Sequence, residues 1–312
     1  MSGPVIVPLD GSSLAEQALP LGVSIARQTG RPLTVLQVVP IPTSAAPGET
    51  GGVLTVEEML DLLRSRAKVY LADVEKKIKE ANVGVSVEGL IVTARTPAEG
   101  VAAAADEHHA SFVVMATHGY TGLSRWALGS VTDRVLHLTK HPLIVVRPQE
   151  QEELVALSEE ALPSLKRIVV PLDGSPLAEH VLPFVADLAR AYDAELLLYR
   201  VLTMPFTGLG VDTGFVLAEQ YWNVAREEAE TYLKGVAGSL RQQGLTVSYN
   251  VGIEPVADAI LAFADQVGAD LIAMTTHARE GLTRLIMGSV TDRVVRAGRV
   301  PVLVTRPETE QD

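Results

Sequence analysis

The sequence contains the same seven-residue run, Gly-Ser-Val-Thr-Asp-Arg-Val, at 129–135 and again at 288–294. In both places a Thr-His dipeptide ends eleven residues before the glycine. A Gly-Ser pair is a frequent start of a helix, and the N–H groups at a helix N-terminus bind anions with help from the helix dipole. The pattern therefore indicates phosphate binding. The simpler alternative is a turn and a helix cap, but the repeated run is longer than a cap requires.

Within each run a serine is followed three residues later by an aspartate, Ser130 by Asp133 and Ser289 by Asp292. This spacing is a carboxylate variant of the capping box, in which two side chains satisfy N–H groups that have no partner inside the helix. We therefore expect each serine to cap the helix that follows it.

Two further pairs of polar residues allow two interpretations each. Thr132 and Thr291 have hydroxyls that either contact phosphate or lie on the helix surface. His118 and His277 close a buried strand, where a histidine either makes a structural hydrogen bond or takes part in chemistry. Neither run is accompanied by the acidic pair, histidine cluster or metal-ligand spacing of an enzyme. We predict no catalytic or metal site, and hydrolysis that is slow or absent.

A second repeated motif, Val-Pro-Leu-Asp-Gly-Ser, lies at 7–12 and 170–175. Its aspartates, Asp10 and Asp173, end a short apolar run that is typical of a strand buried on both faces. Ligands of open α/β folds collect at the carboxyl ends of such strands. Each aspartate either accepts hydrogen bonds from ribose or adenine, or caps the first helix.

The elements that must position these motifs alternate between strands and helices. Strand patterns lie at 5–9, 32–40, 85–92, 111–118 and 142–147, and helix patterns lie at 13–28, 56–81, 97–109 and 130–140. The second half repeats this plan from Arg167 to Arg306. Such alternation predicts a doubly wound α/β fold, a five-stranded parallel sheet with helices on both faces.

Alignment of the two halves predicts two tandem domains, each too long to be a solenoid unit. The first covers 1–148 and the second 166–307. We expect a polar linker at 149–165 and an acidic tail at 308–312.

Composition excludes several other classes of protein. The formal net charge of −12 argues against electrostatic binding to nucleic acid or to an anionic membrane. The absence of cysteine excludes disulfides, thiolate metal sites and cysteine nucleophiles. Because the chain shows neither a signal-peptide pattern nor an apolar stretch of membrane-spanning length, we expect a cytoplasmic protein.

Together these motifs resemble the universal stress protein family in its tandem, two-domain form. The resemblance rests on VPLDGS followed by Ala-Glu, and on MATHGYTGLSRWALGSVTDRVLHLTKHPLIVV, and it covers both repeats. It implies a Rossmann-like fold of the adenine nucleotide alpha hydrolase type. Nucleotide-binding members carry G-x2-G-x9-G-[ST], whose spacing both repeats keep. Ala116 and Thr275 replace the first glycine, and the second is Gly119 in one repeat and Ala278 in the other.

The resemblance implies an ATP site in each repeat, with Mg²⁺ screening the phosphates. It places base and ribose against the first strands and the phosphates against the repeated run. The residues implied are Pro8, Asp10, Val38, Met115, His118, Gly119, Gly129, Ser130, Val131 and Thr132, then Pro171, Asp173, Val201, Met274, His277, Gly288, Ser289, Val290 and Thr291. The implied function is regulatory: a protein partner recognises nucleotide occupancy. The alternatives are a structural or interaction protein that binds no nucleotide, and a slow ATPase.

The family also pairs subunits through the edge of the last strand, about a two-fold axis. The corresponding segments here are PLIVVR at 142–147 and PVLVTR at 301–306. The resemblance implies that the two domains pair in this way as an internal pseudo-dimer, which buries exposed strand edges. Dimerisation of whole chains is a further option.

Overall fold

A computed structural model gives the architecture of the chain. It describes residues 3–43, 46–47, 53–117, 128–148, 157–203, 211–253, 255–276 and 287–307. The chain divides into two compact units, Met1–Pro163 and Ser164–Asp312, which we call unit 1 and unit 2.

Unit 1 contains the five-stranded parallel sheet that the sequence predicts. Its strands are β1 (Val5–Leu9), β2 (Leu33–Pro40), the two-residue antiparallel pair β3 (Ala46–Pro47) and β4 (Val53–Leu54), β5 (Val87–Ala94), β6 (Phe112–Ala116) and β7 (Leu143–Val146). Across the sheet the order is β7-β6-β1-β2-β5, and all neighbours are parallel. From β1 the chain first adds strands on one side of the sheet (β2, β5) and then on the other (β6, β7). This change of side lies between β1 and β6, so ligands are expected at the carboxyl ends of these two strands.

The helices of unit 1 match the sequence prediction to within two residues at their ends, except for the first. They are α1 (Ser13–Glu16), α2 (Leu19–Thr29), α3 (Val56–Glu80), α4 (Pro97–Glu107) and α5 (Ser130–Leu138), followed by a 3-10 turn at Glu159–Ala161. The prediction of one continuous helix over 13–28 is wrong, because the chain breaks at Gln17 and Ala18. Pro20 causes the break, since it has no N–H and its ring clashes with the carbonyl one turn earlier. It is tolerated only because it lies in the first turn of α2.

Unit 2 repeats this architecture. Its strands are β8 (Arg167–Pro171), β9 (Glu195–Leu202), β10 (Thr246–Ile253), β11 (Leu271–Thr275) and β12 (Val302–Thr305), and its helices are α6 (Pro176–Glu179), α7 (Leu182–Tyr192), α8 (Val211–Gln242), α9 (Val256–Val267) and α10 (Ser289–Ala297). The order β10-β9-β8-β11-β12 is again parallel throughout. Pro183 stands in the first turn of α7, as Pro20 does in α2.

The central strands of each unit form its core. Ile6 and Phe112 in unit 1, and Ile168 and Leu271 in unit 2, have no exposed surface. Helices cover both faces of a parallel sheet, and this explains why central strands such as β1, β6 and β11 are continuous apolar runs without alternation. In the part of the chain that the structure describes, no helix combines the length and hydropathy of a membrane span.

Candidate functional site

Helix α5 begins without a side-chain cap, at the edge of the sheet where β6 ends. Its N-cap is Gly129, with φ −59° and ψ 143°. The Gly129 N–H donates to the Thr117 carbonyl at 2.7 Å, and the Gly129 carbonyl accepts from the Asp133 N–H at 2.9 Å. The N–H groups of Ser130 and Val131, in the first turn, have no acceptor within the helix. They are therefore available to an anion.

The prediction that serine caps this helix is wrong in both repeats. Ser130 and Ser289 are the first helical residues, exposed, and the caps are Gly129 and Gly288. Neither helix has a side-chain hydrogen bond at its cap. The cap position has no side chain at all, and this leaves the helix N-terminus open to a ligand.

The Thr132 hydroxyl is used inside the protein. It donates to the Ala116 carbonyl at 2.9 Å and lies 3.4 Å from the Thr117 carbonyl. Thr132 is 2% exposed and Thr291 is 3% exposed, so the interpretation that these threonines lie on the helix surface is wrong. Thr132 fastens α5 to the end of β6. Its contribution to a ligand would come from its backbone N–H.

This contact gives a stability prediction with a matched control two residues away. Thr132→Val keeps the volume but leaves a buried carbonyl without its donor, so we expect the free energy of unfolding to fall by about 1–3 kcal/mol. Ser130→Ala removes an exposed hydroxyl without a capping bond and should change it by less than about 0.5 kcal/mol. Urea denaturation measures both. If Ser130→Ala lowers the free energy of unfolding as much as Thr132→Val does, Ser130 caps the helix after all.

In unit 1 the turn after β1 is built on Asp10 and Ser12. The Asp10 Oδ1 accepts from the Ser12 N–H at 3.0 Å and from the Ser12 hydroxyl at 2.6 Å. Ser12 is the N-cap of α1, and its Oγ accepts from the Ala15 N–H at 3.1 Å. The interpretation that Asp10 caps the helix is therefore wrong. Gly11 between them has φ +86°, a conformation that favours glycine.

Unit 2 repeats the same turn. The Asp173 Oδ1 accepts from the Ser175 N–H at 2.8 Å, and the Ser175 Oγ accepts from the Ala178 N–H at 3.1 Å. Gly174 has φ +91°. Here too the serine caps the short helix and the aspartate does not. Asp173 lies exposed at the carboxyl edge of the sheet, where a ligand can meet it.

A tyrosine from the long helix bonds the short helix that follows each of these turns, a contact that the sequence analysis missed. The Tyr70 hydroxyl donates to Glu16 Oε1 at 2.9 Å, and the Tyr232 hydroxyl donates to Glu179 Oε1 at 2.8 Å. Burial, with the neighbouring carboxylate, raises the pKa of both tyrosines well above the ordinary value. The signal that could have revealed the contact is a Tyr-Leu pair at matching places in both long helices.

The raised pKa values predict a loss of stability at alkaline pH. An unfolded tyrosine loses its proton near pH 10, whereas Tyr70 and Tyr232 keep theirs to higher pH in the folded protein. Their contribution is therefore complete below about pH 10 and is lost as the pH rises further. Urea denaturation at several pH values between about 9 and 11.5 measures this loss. The free energy of unfolding should fall less steeply with pH in the Tyr70→Phe, Tyr232→Phe double variant than in the parent. An unchanged decline would contradict the assignment, and Tyr249→Phe is the control.

A cavity of about 530 Å³ opens in unit 2 at the carboxyl ends of β8, β9 and β11. Its volume is that of an ordinary small-molecule site. It brings together all the residues implied for the second repeat that the structure describes, namely Pro171, Asp173, Val201, Met274, Gly288, Ser289, Val290 and Thr291. His277, and in the first repeat His118 and Gly119, lie outside the described residues. Among the described residues no group of three or more His, Asp or Glu side chains is arranged to hold a metal ion.

Other residues that line this cavity are not evident from the motifs. Among them are Tyr199, Arg200 and Leu202 on β9, Tyr221, Ala225 and Glu228 on α8, and Val256 and Ile260 on α9. Tyr199 stacks on Phe263 with ring centroids 4.2 Å apart, and burial raises its pKa. The spacing of the three α8 residues is that of one helix face, which is the signal that could have identified them.

The residues implied for unit 1 occupy the same places in the fold. Pro8 lies near the end of β1, Val38 near the end of β2, and Met115, which is 6% exposed, near the end of β6. A Cβ placed on Gly100 would lie 2.5 Å from a methyl carbon of Val38. Only glycine therefore lets the start of α4 approach the end of β2 this closely.

Comparison with known proteins assigns the family. The universal stress protein family profile matches residues 1–147 and 164–306, most of the chain. The chain belongs to the universal stress protein family.

Relatives of this universal stress protein share its tandem form. A universal stress protein of Mycobacterium tuberculosis is 27% identical over 314 residues, covering 97% of this chain and 96% of that protein. A solved universal stress protein from Archaeoglobus fulgidus covers 98% of this chain and 99% of its own, with a TM-score of 0.68 and 22% identity, and confirms the fold. Another solved universal stress protein, with 18% identity and a TM-score of 0.35 over 47% of this chain and 100% of its own, is a complex with cAMP.

Proposed function

We propose that this universal stress protein is an ATP-binding regulatory protein of the stress response, and that a protein partner recognises its nucleotide occupancy. The observation that carries the proposal is the cavity of unit 2. It combines apolar walls around Val201, Val256 and Met274 with the carboxylate of Asp173 and the uncapped N-terminus of α10. Apolar walls suit a planar base, a carboxylate accepts from ribose hydroxyls, and helix N–H groups bind phosphates.

The start of α10 supports the phosphate end of this arrangement. The Gly288 N–H donates to the Thr276 hydroxyl at 3.3 Å, and the Gly288 carbonyl accepts from the Asp292 N–H at 2.9 Å. The N–H groups of Ser289 and Val290 are left for the ligand, as at α5. The Asp292 carboxylate, which would repel phosphate, is paired with Arg296 at 2.7 Å. The residues present therefore fit a nucleotide whose phosphates lie at this helix.

A regulatory role requires that occupancy be recognised from outside, and α8 connects the cavity with the surface. Tyr221 lines the cavity, and its hydroxyl donates to the Thr203 carbonyl at 2.9 Å. Val224, one turn further along α8, is 56% exposed. A ligand that packs on Tyr221 would fix the start of this helix, and the neighbouring apolar surface is where a partner would detect it.

Calorimetric titration of ATP into the purified chain tests the proposal, and we expect micromolar-range affinity assisted by Mg²⁺. Mass spectrometry under native conditions should also detect adenine nucleotide that co-purifies. If ATP, ADP, AMP and cAMP all fail to bind, the alternative of a structural or interaction protein without nucleotide would be favoured.

We also expect ATP turnover below about 1 s⁻¹, the low end of ordinary enzymes. The described residues at the start of α10 offer amides and hydroxyls, and the nearby carboxylate of Asp292 is held in an ion pair. A general base for water is therefore missing from this part of the site. Release of phosphate at saturating ATP measures the rate, and an unchanged rate in His118→Ala and His277→Ala would exclude these histidines as the base. A faster rate would favour the ATPase alternative.

A further inference from the structure

One cation in the cavity of unit 2 has no equivalent in the repeated motifs. Arg200, at the end of β9, lines the cavity, and its Cζ lies 5.3 Å from the centre of the Tyr232 ring. A Cβ placed on Gly174 would lie 3.1 Å from Nη1 of Arg200 and 3.2 Å from both Cζ and Nη2. Because these distances are nearly equal, the guanidinium lies with its face on the Gly174 turn, directly beside Asp173.

The N–H donors of this guanidinium have no acceptor among the residues that the structure describes. No hydrogen bond or ion pair joins Arg200 to another residue within the described part of the chain, where it packs against the Tyr232 ring and the Gly174 turn. A guanidinium has five N–H donors, all in its plane. A group that packs by its face therefore directs its donors sideways, along the wall of the cavity. Donors of this kind bind phosphate in a planar, two-pronged geometry.

The strand order decides which part of a nucleotide would meet Arg200. Strand β11, which leads to α10, is paired with β8, and β8 is paired with β9. Neighbouring strands lie about 4.8 Å apart, so Arg200 lies roughly 10 Å across the sheet from the helix N-terminus that would hold the 5′-phosphates. It is beside Asp173, at the ribose end. An arginine near an adenosine ribose is the group that accommodates a ribose phosphate in dinucleotide sites.

We infer that Arg200 makes unit 2 selective for adenine nucleotides that carry a second phosphate, on the 2′ or 3′ oxygen of the ribose. The inference rests on the proposed function, because it names the ligand class of the same cavity. Of the charged side chains that line this cavity, Asp173 and Glu228 are carboxylates and Arg200 is the cation. Among the described charged residues of the lining, only carboxylates would remain without Arg200 and would repel a ribose phosphate, so we expect the preference to depend on this residue.

Unit 1 has a neutral residue at the position of this arginine. Gln37 occupies the position of Arg200, immediately before Val38 as Arg200 precedes Val201. No atom lies within 4 Å of a Cβ placed on Gly11, so the turn is not covered as Gly174 is. A neutral amide gives a second phosphate no charge–charge attraction. The two sites of one chain therefore differ in the nucleotide that they prefer.

Three probes that differ only at the ribose test the inference: AMP, adenosine 2′,5′-bisphosphate and adenosine 3′,5′-bisphosphate. Gly129→Glu confines binding to unit 2. In that background we expect one bisphosphate to bind at least about tenfold more tightly than AMP, equivalent to about 1.4 kcal/mol. Comparison of the two bisphosphates identifies the oxygen. In the Gly288→Glu background, which leaves only unit 1, we expect no preference.

Variants at Arg200 separate its role from a general effect of charge. Arg200→Gln, which installs the residue of unit 1, should remove the preference and change AMP affinity by less than about threefold. Arg200→Lys should keep part of the preference, because it retains the charge without the planar donors. Arg190→Gln is the matched control, since Arg190 bonds Gln243 at 2.8 Å and does not line the cavity.

The outcomes distinguish this inference from the proposed function. Equal affinities for all three probes, a preference that survives Arg200→Gln, or the same preference in unit 1 would overturn the inference and leave nucleotide binding standing. If neither the probes nor ATP bind, the proposed function fails and the inference fails with it.

Discussion

Gly288→Glu should abolish nucleotide binding in unit 2, and Gly129→Glu should do so in unit 1, each with a loss of at least about 100-fold in affinity. The backbone of Gly288, with φ −55° and ψ 140°, is open to any residue, so the substitution should not strain the fold. The new carboxylate would lie at the N–H groups that we assign to phosphate, and the helix dipole would hold it there. Two unit charges 4 Å apart repel by about 4 kcal/mol near a protein surface, which exceeds the roughly 2.7 kcal/mol of a 100-fold loss.

Calorimetry with ATP measures these losses, and Gly129→Ala and Gly288→Ala are the matched controls. The methyl group adds bulk without charge, so we expect the alanine variants to lose tenfold or less. Thermal unfolding should show that the glutamate variants are at least as stable as the parent, because an acidic side chain at a helix N-terminus is favourable. Glutamate variants that bind ATP with unchanged affinity would show that the phosphates lie elsewhere.

Phe112→Ala should lower the free energy of unfolding by about 3–5 kcal/mol, the usual cost of removing a fully buried aromatic ring. Phe112 has no exposed surface and pairs with Val5 of the neighbouring strand in the middle of the unit 1 sheet. A domain is stable by only about 5–15 kcal/mol in total. The loss should therefore be visible as a clear shift of the denaturation midpoint.

Val69→Ala is the control for this prediction. Val69 is apolar but 73% exposed on α3, so we expect a change below about 0.5 kcal/mol. Guanidinium denaturation followed by circular dichroism measures both variants. Similar small shifts in the two would mean that Phe112 does not belong to the core of unit 1.

Much of the fold was predictable because buried parallel strands are continuous apolar runs. The segment at 5–9 coincides with β1, and the segments for α3 and β2 differ from the structure by a single residue at one end. The break between α1 and α2 was missed for an equally physical reason. Apolar periodicity continues through Pro20 without interruption, and periodicity does not register a missing N–H group.

The grouping of residues in the candidate site was predictable where it depends on chain order and not where it depends on packing. Asp173 and Gly288 line one cavity because both follow strands that end at the same edge of the sheet. By contrast, the position of the Arg200 guanidinium depends on the pairing of β8 with β9 and on Tyr232 from α8, neither of which a motif shows. The error over Ser130 has a similar origin, because the backbone, and not the spacing, decides which residue is the cap.

The difference between Gln37 and Arg200 has a consequence for signalling. Two repeats in one polypeptide are always made in equal amounts, so their relative occupancy depends on the nucleotides alone and not on the expression of two genes. If each site is either empty or filled, the chain has four occupancy states. The occupancy of two identical sites would depend on the concentration of one nucleotide only. If the residues at 37 and 200 favour different nucleotides, as we infer, a partner would respond to the balance between two nucleotide concentrations, and a single protein would combine two inputs.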